Sequence, residues 1–227
     1  MPSSSDRAPD PRPARTKAAI FAAARDLTST DGDVTVNALA KRAGVSRAAF
    51  YSHFSGLDDL MGAMLQQMFD AAWERGGAFA EQGRSLHEAV QFGFGMFVAY
   101  VERHHAFLRG ALDWKFSHRT YMILVETMTR LHGVALSRLG DQVPTRLRGA
   151  SAGRSIAGSA LALAGRWLAE TEQQAAEGEP LDATSLLEEV LLFAPGWYTG
   201  LGPEDPIPAA ELLEVCRSYA PQDVLDG

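Results

Sequence analysis

Thr35, Ser46, Arg47, Tyr51 and His53 bring hydroxyl, guanidinium, phenol and imidazole groups into one short stretch, with Gly44 between them. The chemistry within reach of this set is recognition of a polyanion, not bond breaking. An arginine can bond bidentately to guanine, and the methyl groups of Ala48 and Ala49 can touch thymine. The hydroxyls of serine, of tyrosine and of a threonine at a helix N-terminus suit phosphate oxygens. Such groups work only if short helices present them. Thr35 reads as the N-cap of a helix over 36–43, and Ser46 caps a second one through His53. Gly44 can take the left-handed conformation that the turn between them needs. Ala40 is small enough for the second helix to cross closely, and Leu39, Val45 and Phe50 supply the internal contacts. Two short helices around a glycine turn make a helix-turn-helix over residues 36–53, whose second helix points its N-terminal residues at base edges. Phe54 reads as a core residue.

The surrounding pattern is helical throughout, and no alternating run has strand character, so the fold class is all-α. Ile20, Ala23, Ala24 and Leu27 predict a first helix from Pro13, stopped at Gly32. Ser55 reads as the cap of a third helix, with Asp58 and Asp59 in its first turn, where the helix dipole favours anions. Leu60, Met64, Met68 and Ala72 carry that helix towards Phe79. Further helices are predicted over 85–104, 106–115, 117–139, 145–176, 184–198 and 209–219. Three regions follow: a disordered basic arm at 1–12, a DNA-binding helix-turn-helix domain at 13–60, and a ligand-binding and dimerisation domain at 61–227.

The stretch 18–61, and above all Thr35–Phe54 read as T-V-x-x-L-A-x-x-A-G-V-S-x-x-x-x-Y-x-H-F, resembles the N-terminal domain of the tetracycline-repressor family. The resemblance implies that Arg47, Ala48 and Ala49 meet bases and that Thr35, Ser46, Tyr51 and His53 contact phosphate. It implies a transcriptional regulator, a homodimer on double-stranded operator DNA, and a variable ligand-binding domain whose last two long helices form the dimer interface. Arg166-Trp167-Leu168 looks like the matching segment. The chain departs from the pattern at Leu57, where a lysine is common, and at Thr28, where an aromatic residue is common. Arg7, Arg12 and Arg15 on a loose arm could replace the lost phosphate contact.

The segment 92–132 concentrates bulky side chains beside polar ones. Phe92, Phe97, Tyr100, Trp114 and Met122, with His104, Arg119 and Glu126 as polar anchors, are the predicted ligand-binding residues; His105, His118 and His132 lie nearby. Gly93 and Gly95 each cost about 1 kcal/mol relative to alanine inside a helix, which points to close packing or room for a ligand. No spacing suits a metal, and no cofactor is expected. Gly153, Ala157, Ala160 and Ala164 form a small-residue seam, and with Trp167, Leu187 and Leu191 they are the predicted dimer interface. The helix Leu186–Phe193 is apolar nearly all round, as expected when more than its own subunit covers it.

The formal net charge of −7 looks unsuited to DNA, but its distribution matters more. Residues 1–59 carry eight basic and seven acidic side chains, and the acid excess lies beyond them. Cys216 is the single cysteine, so no intrachain disulfide can form. No apolar run reaches membrane-spanning length, and the N-terminus lacks a secretory core, so a cytoplasmic protein is expected. A phosphate-cradling glycine loop, H-E-x-x-H and G-x-S-x-G are all missing, which disfavours an enzyme. The expected function is a repressor released from a palindromic operator by a small, mostly apolar ligand. The alternative is a DNA-binding protein without an effector.

Overall fold

The computed structural model describes residues 12–29, 34–64, 66–67, 70, 83–113 and 118–219, which are mostly helical with no strand among them. Helix α1 (Arg12–Ser29) packs across α2 (Val36–Ala43) and α3 (Arg47–His53). Their shared core is Ile20, Phe21, Ala23, Ala24, Leu39, Phe50 and Phe54. Phe54 stacks on Phe21 at 5.8 Å and lies 5.7 Å from Phe50. Arg12 and Arg15 therefore belong to the first turn of α1, not to a loose arm; Arg7 and Gly32 lie outside the described residues.

Helix α4 follows over 57–64 and buries Leu60, Met61 and Met64; Met68, Ala72 and Phe79 lie outside the described residues. Ser55 does not cap it as an acceptor. Its N–H and hydroxyl both donate to the Asp59 carboxylate, at 2.8 and 3.0 Å. Leu57, where a lysine is common in the family pattern, packs against the core.

The larger part is built round α5 (Leu86–Arg103), opened by a capping box between Ser85 and Glu88. It is buried over most of its surface because α6 (His105–Asp113), α7 (His118–Leu139), α10 (Thr184–Phe193), α11 (Gly196–Thr199) and α12 (Ala209–Tyr219) all pack on it. Gly95 resolves one of the two helix glycines: a Cβ there would stand 2.6 Å from Cys216 Sγ, so glycine lets α12 cross closely. Cys216 itself is buried, its thiol pushed up to about 12 by burial, and it is a packing residue.

Two predicted helices are interrupted. The run 145–176 divides into a 3₁₀ turn, α8 (Ala150–Glu170) and α9 (Glu172–Ala176). The break falls at Thr171, whose hydroxyl donates to the Trp167 carbonyl at 2.7 Å. The run 184–198 breaks before Pro195, which has no N–H and forces Ala194 into an extended conformation.

Candidate nucleic-acid interface

The helix-turn-helix forms from local signals. Thr35 Oγ1 accepts the Ala38 N–H at 3.1 Å and Ser46 Oγ accepts the Ala49 N–H at 3.0 Å, so each short helix begins on a side-chain cap. Each hydroxyl keeps its own proton for a phosphate. Gly44 sits at φ +67°, and its N–H reaches the Ala40 and Lys41 carbonyls. A side chain there would meet no atom within 4 Å, so glycine is required by conformation, not by space.

The periodicity of α3 then sorts its residues. Phe50 turns inward and is fully buried, while Arg47, Ala48, Tyr51 and Ser52 face solvent and Ala49 and His53 are half-buried. Tyr51 is 51% exposed, its ring set edge-on to Phe50 at 5.4 Å, so the core fixes the ring and leaves the hydroxyl outside. Of the nearby cations, Arg42 pairs with Asp26 at 2.5 Å and Lys17 lies over the Phe21 ring at 5.2 Å, while Lys41 on α2 is exposed. Arg47 has no ion-pair partner among the described residues. Thr35, Ser46, Arg47, Ala48 and Tyr51 thus lie exposed on or beside α2 and α3, where hydroxyls, a guanidinium and methyl groups can meet a duplex.

Replacing Tyr51 by phenylalanine is expected to lower affinity for every duplex by a similar factor, because the ring stays and only a neutral phosphate donor goes. Discrimination and the salt slope are expected to hold. Titrations of matched and scrambled duplexes at several salt concentrations check this; a selective loss would make Tyr51 a base reader.

The predicted ligand residues do not converge. Phe92, Phe97 and Tyr100 are buried on α5, but Phe92 faces α12, with its ring 5.5 Å from Tyr219. Tyr100 stacks on His104 at 5.9 Å. Met122 and Glu126 lie on the exposed side of α7, and Glu126 pairs with Arg154 at 3.0 Å. Trp114 and the Arg119 side chain lie outside the described residues. The sequence could not divide these residues because α5 is covered on most sides, so its aromatics point to different neighbours.

A polar contact not anticipated from the sequence lies between α7 and α11. His132 Nδ1 and the Tyr198 hydroxyl are 2.8 Å apart, with the Phe94 ring 5.5 Å from the imidazole. Burial lowers His132 to about 4 and raises Tyr198, so both are neutral near pH 7.

The seven predicted interface residues are buried within one chain. Gly153 lies against α7, where a Cβ would stand 3.2 Å from the Thr129 carbonyl, and Ala157, Ala160, Ala164, Leu187 and Leu191 are in the same core. Trp167 meets His105 edge-on at 5.4 Å. The opposite faces of these helices are left out of this core. On α8 that face carries Ser155, Ala162, Gly165 and Ala169; on α10 it carries Leu192 and Phe193, each 66% exposed. Arg166 joins the two faces by pairing with Glu170 and Glu189.

Residues 20–64 match the family of bacterial regulatory proteins described as tetR family. Among solved structures, the chain is similar to Thermus thermophilus FadR, a TetR-family transcriptional repressor in complex with lauroyl-CoA. Identity is 22%, coverage 85% of this chain and 98% of that one, and the TM-score 0.63. Looser likenesses are to RolR in complex with resorcinol (16% identity, 93% and 97% coverage, TM-score 0.48) and to a putative fatty acid metabolism regulator of Clostridium perfringens (16%, 81% and 98%, 0.47). No curated protein matches the chain. Over residues 20–64, which hold the helix-turn-helix, the chain is thus similar to the bacterial regulatory proteins of the tetR family.

Proposed function

We propose that the protein is a homodimeric repressor that binds a roughly palindromic operator and leaves it when a small, mostly apolar molecule binds the larger helical part. The observation that carries the reading is the sorting of α3: a capped helix with its aromatic anchor inside and an arginine outside that has no ion-pair partner among the described residues. Arg47, Ala48 and Ala49 read bases, and Thr35, Ser46, Tyr51 and His53 hold phosphate. The dimer forms through the outer faces of α8 and α10, where Leu192 and Phe193 leave apolar surface uncovered. No helix among the described residues is long and apolar enough to cross a membrane, and a cytoplasmic location suits the role. The fold holds lauroyl-CoA in the Thermus thermophilus FadR structure, so a ligand with a long apolar chain suits this architecture, there joined to a polar, anionic coenzyme A.

The test is a titration of duplexes selected from a random pool against scrambled ones, followed by a screen for molecules that release them. Reciprocity adds a quantitative expectation. A ligand that weakens DNA binding by some factor must bind the DNA complex more weakly by the same factor, typically about 5- to 150-fold. Calorimetry with and without the selected duplex measures it. Equal ligand affinity in both states leaves a DNA-binding protein without an effector.

A further inference from the structure

Helix α6 packs on α1 of the helix-turn-helix domain and also on α8 and α9. It stands between the DNA-facing helices and the helices assigned to the dimer. Two side-chain links hold it to the joint between α8 and α9. His105 Nε2 lies 2.8 Å from Thr171 Oγ1, and Arg109, one turn on, meets Glu172 at 2.7 Å. Thr171 is the residue at which α8 ends and α9 begins.

The hydrogen bonds fix the state of the ring. The Thr171 hydroxyl spends its proton on the Trp167 carbonyl, so towards His105 it can only accept. His105 must then carry its proton on Nε2. Its Nδ1 is buried with no hydrogen-bond partner among the described residues, and the residue as a whole is 5% exposed. A second proton would place a cation beside Arg109 at a site only 5% exposed, offset in part by the Leu168 carbonyl and by Glu172. The charges acting on His105 are Arg109 on its own helix and Glu172 on α9. The Leu168 carbonyl of α8 also acts on it, and no charge of α1 enters its balance. Burial comes first and Arg109 second in holding the imidazole below its ordinary range, against Glu172 and the carbonyl.

We propose that this joint is a proton-sensitive latch: neutral His105 holds α6 against α8 and α9, and protonation frees α6, shifts α1 and lowers DNA affinity in mild acid. Only the DNA readout rests on the function proposed above; the latch itself does not. The direction follows from linkage. The closed latch binds its proton less tightly than a freed, ordinary imidazole, so opening takes up a proton. The latch is intact above the ordinary imidazole range and is lost as pH falls below it. With a freed pKa of about 6.5, lowering pH from 7.5 to 5.5 raises the open population by at most about 10-fold.

The experiment measures protection of the α6 amides against hydrogen exchange across that range, in the full-length protein and in His105→Gln. Glutamine keeps an N–H donor for Thr171 and does not titrate. Wild-type protection is expected to fall by up to about 10-fold with acid while that of H105Q stays level. Thr171→Val, which keeps the shape and removes the acceptor, is expected to lose α6 protection already at pH 7.5. Equal slopes in wild type and H105Q overturn the latch. The same two proteins are then titrated with a duplex selected by the wild type, where the wild type is expected to lose more affinity with acid. Unequal exchange with equal DNA profiles overturns the coupling to α1. A latch seen in exchange, with no selected duplex bound by either protein, overturns the DNA reading instead.

Discussion

Arg47→Ala is expected to weaken operator binding by about 1–3 kcal/mol per half-site and to relax preference at one base position in each. Across both half-sites of a dimer this is between about 30-fold and about 20,000-fold in Kd. The size follows from position and from the lack of substitutes. Arg47 is the first residue of α3, directly after the Ser46 cap, and lies exposed without an ion-pair partner among the described residues. Ala48 and Ala49 offer only methyl contact, and Phe50 is buried. Alanine suits the first turn of a helix, so fold and cap are retained and circular dichroism is expected to be unchanged. Titrations of the selected and scrambled duplexes decide the role. A loss confined to the selected duplex makes Arg47 a base reader; equal loss on both makes it a phosphate contact.

A double substitution of Leu192 and Phe193 by aspartate is expected to convert the proposed dimer to a folded monomer. Both side chains are 66% exposed in the single chain, so the change leaves the subunit core intact. In a two-fold assembly it sets extra carboxylates against the same surface of the partner, where desolvated like charges oppose association. DNA affinity is then expected to fall by about 10²- to 10⁴-fold, because the second half-site no longer binds at high effective concentration. Light scattering and circular dichroism read the two parts separately. A helical variant that stays dimeric moves the interface off α10. Ala160 would be a poor choice for this test, since it is 1% exposed in the single chain and a charge there would break the subunit itself.

The helix-turn-helix was legible in the sequence because its determinants are local. A cap oxygen and the N–H it accepts are three residues apart, the left-handed turn needs one glycine, and helical periodicity puts Phe50 inside and Arg47 outside. The break before Pro195 was also local, a rule about one residue and its predecessor, but the apolar periodicity over 184–198 concealed it and a single helix was expected there. What only the tertiary structure decided is which face of a helix is buried and by what. The small-residue seam of α8 could serve another subunit or a neighbouring helix equally well, since both require close approach. Packing against α7 takes that face for the subunit and leaves Ala162, Leu192 and Phe193 outside. The aromatics of 92–132 were divided in the same way among the helices that surround α5. His105 with Thr171 and His132 with Tyr198 are each 66 residues apart, and no period or spacing within a helix encodes such a meeting. Local hydrogen bonds and turns are fixed by neighbours along the chain, whereas pairing across a bundle depends on which apolar faces meet when the whole core closes.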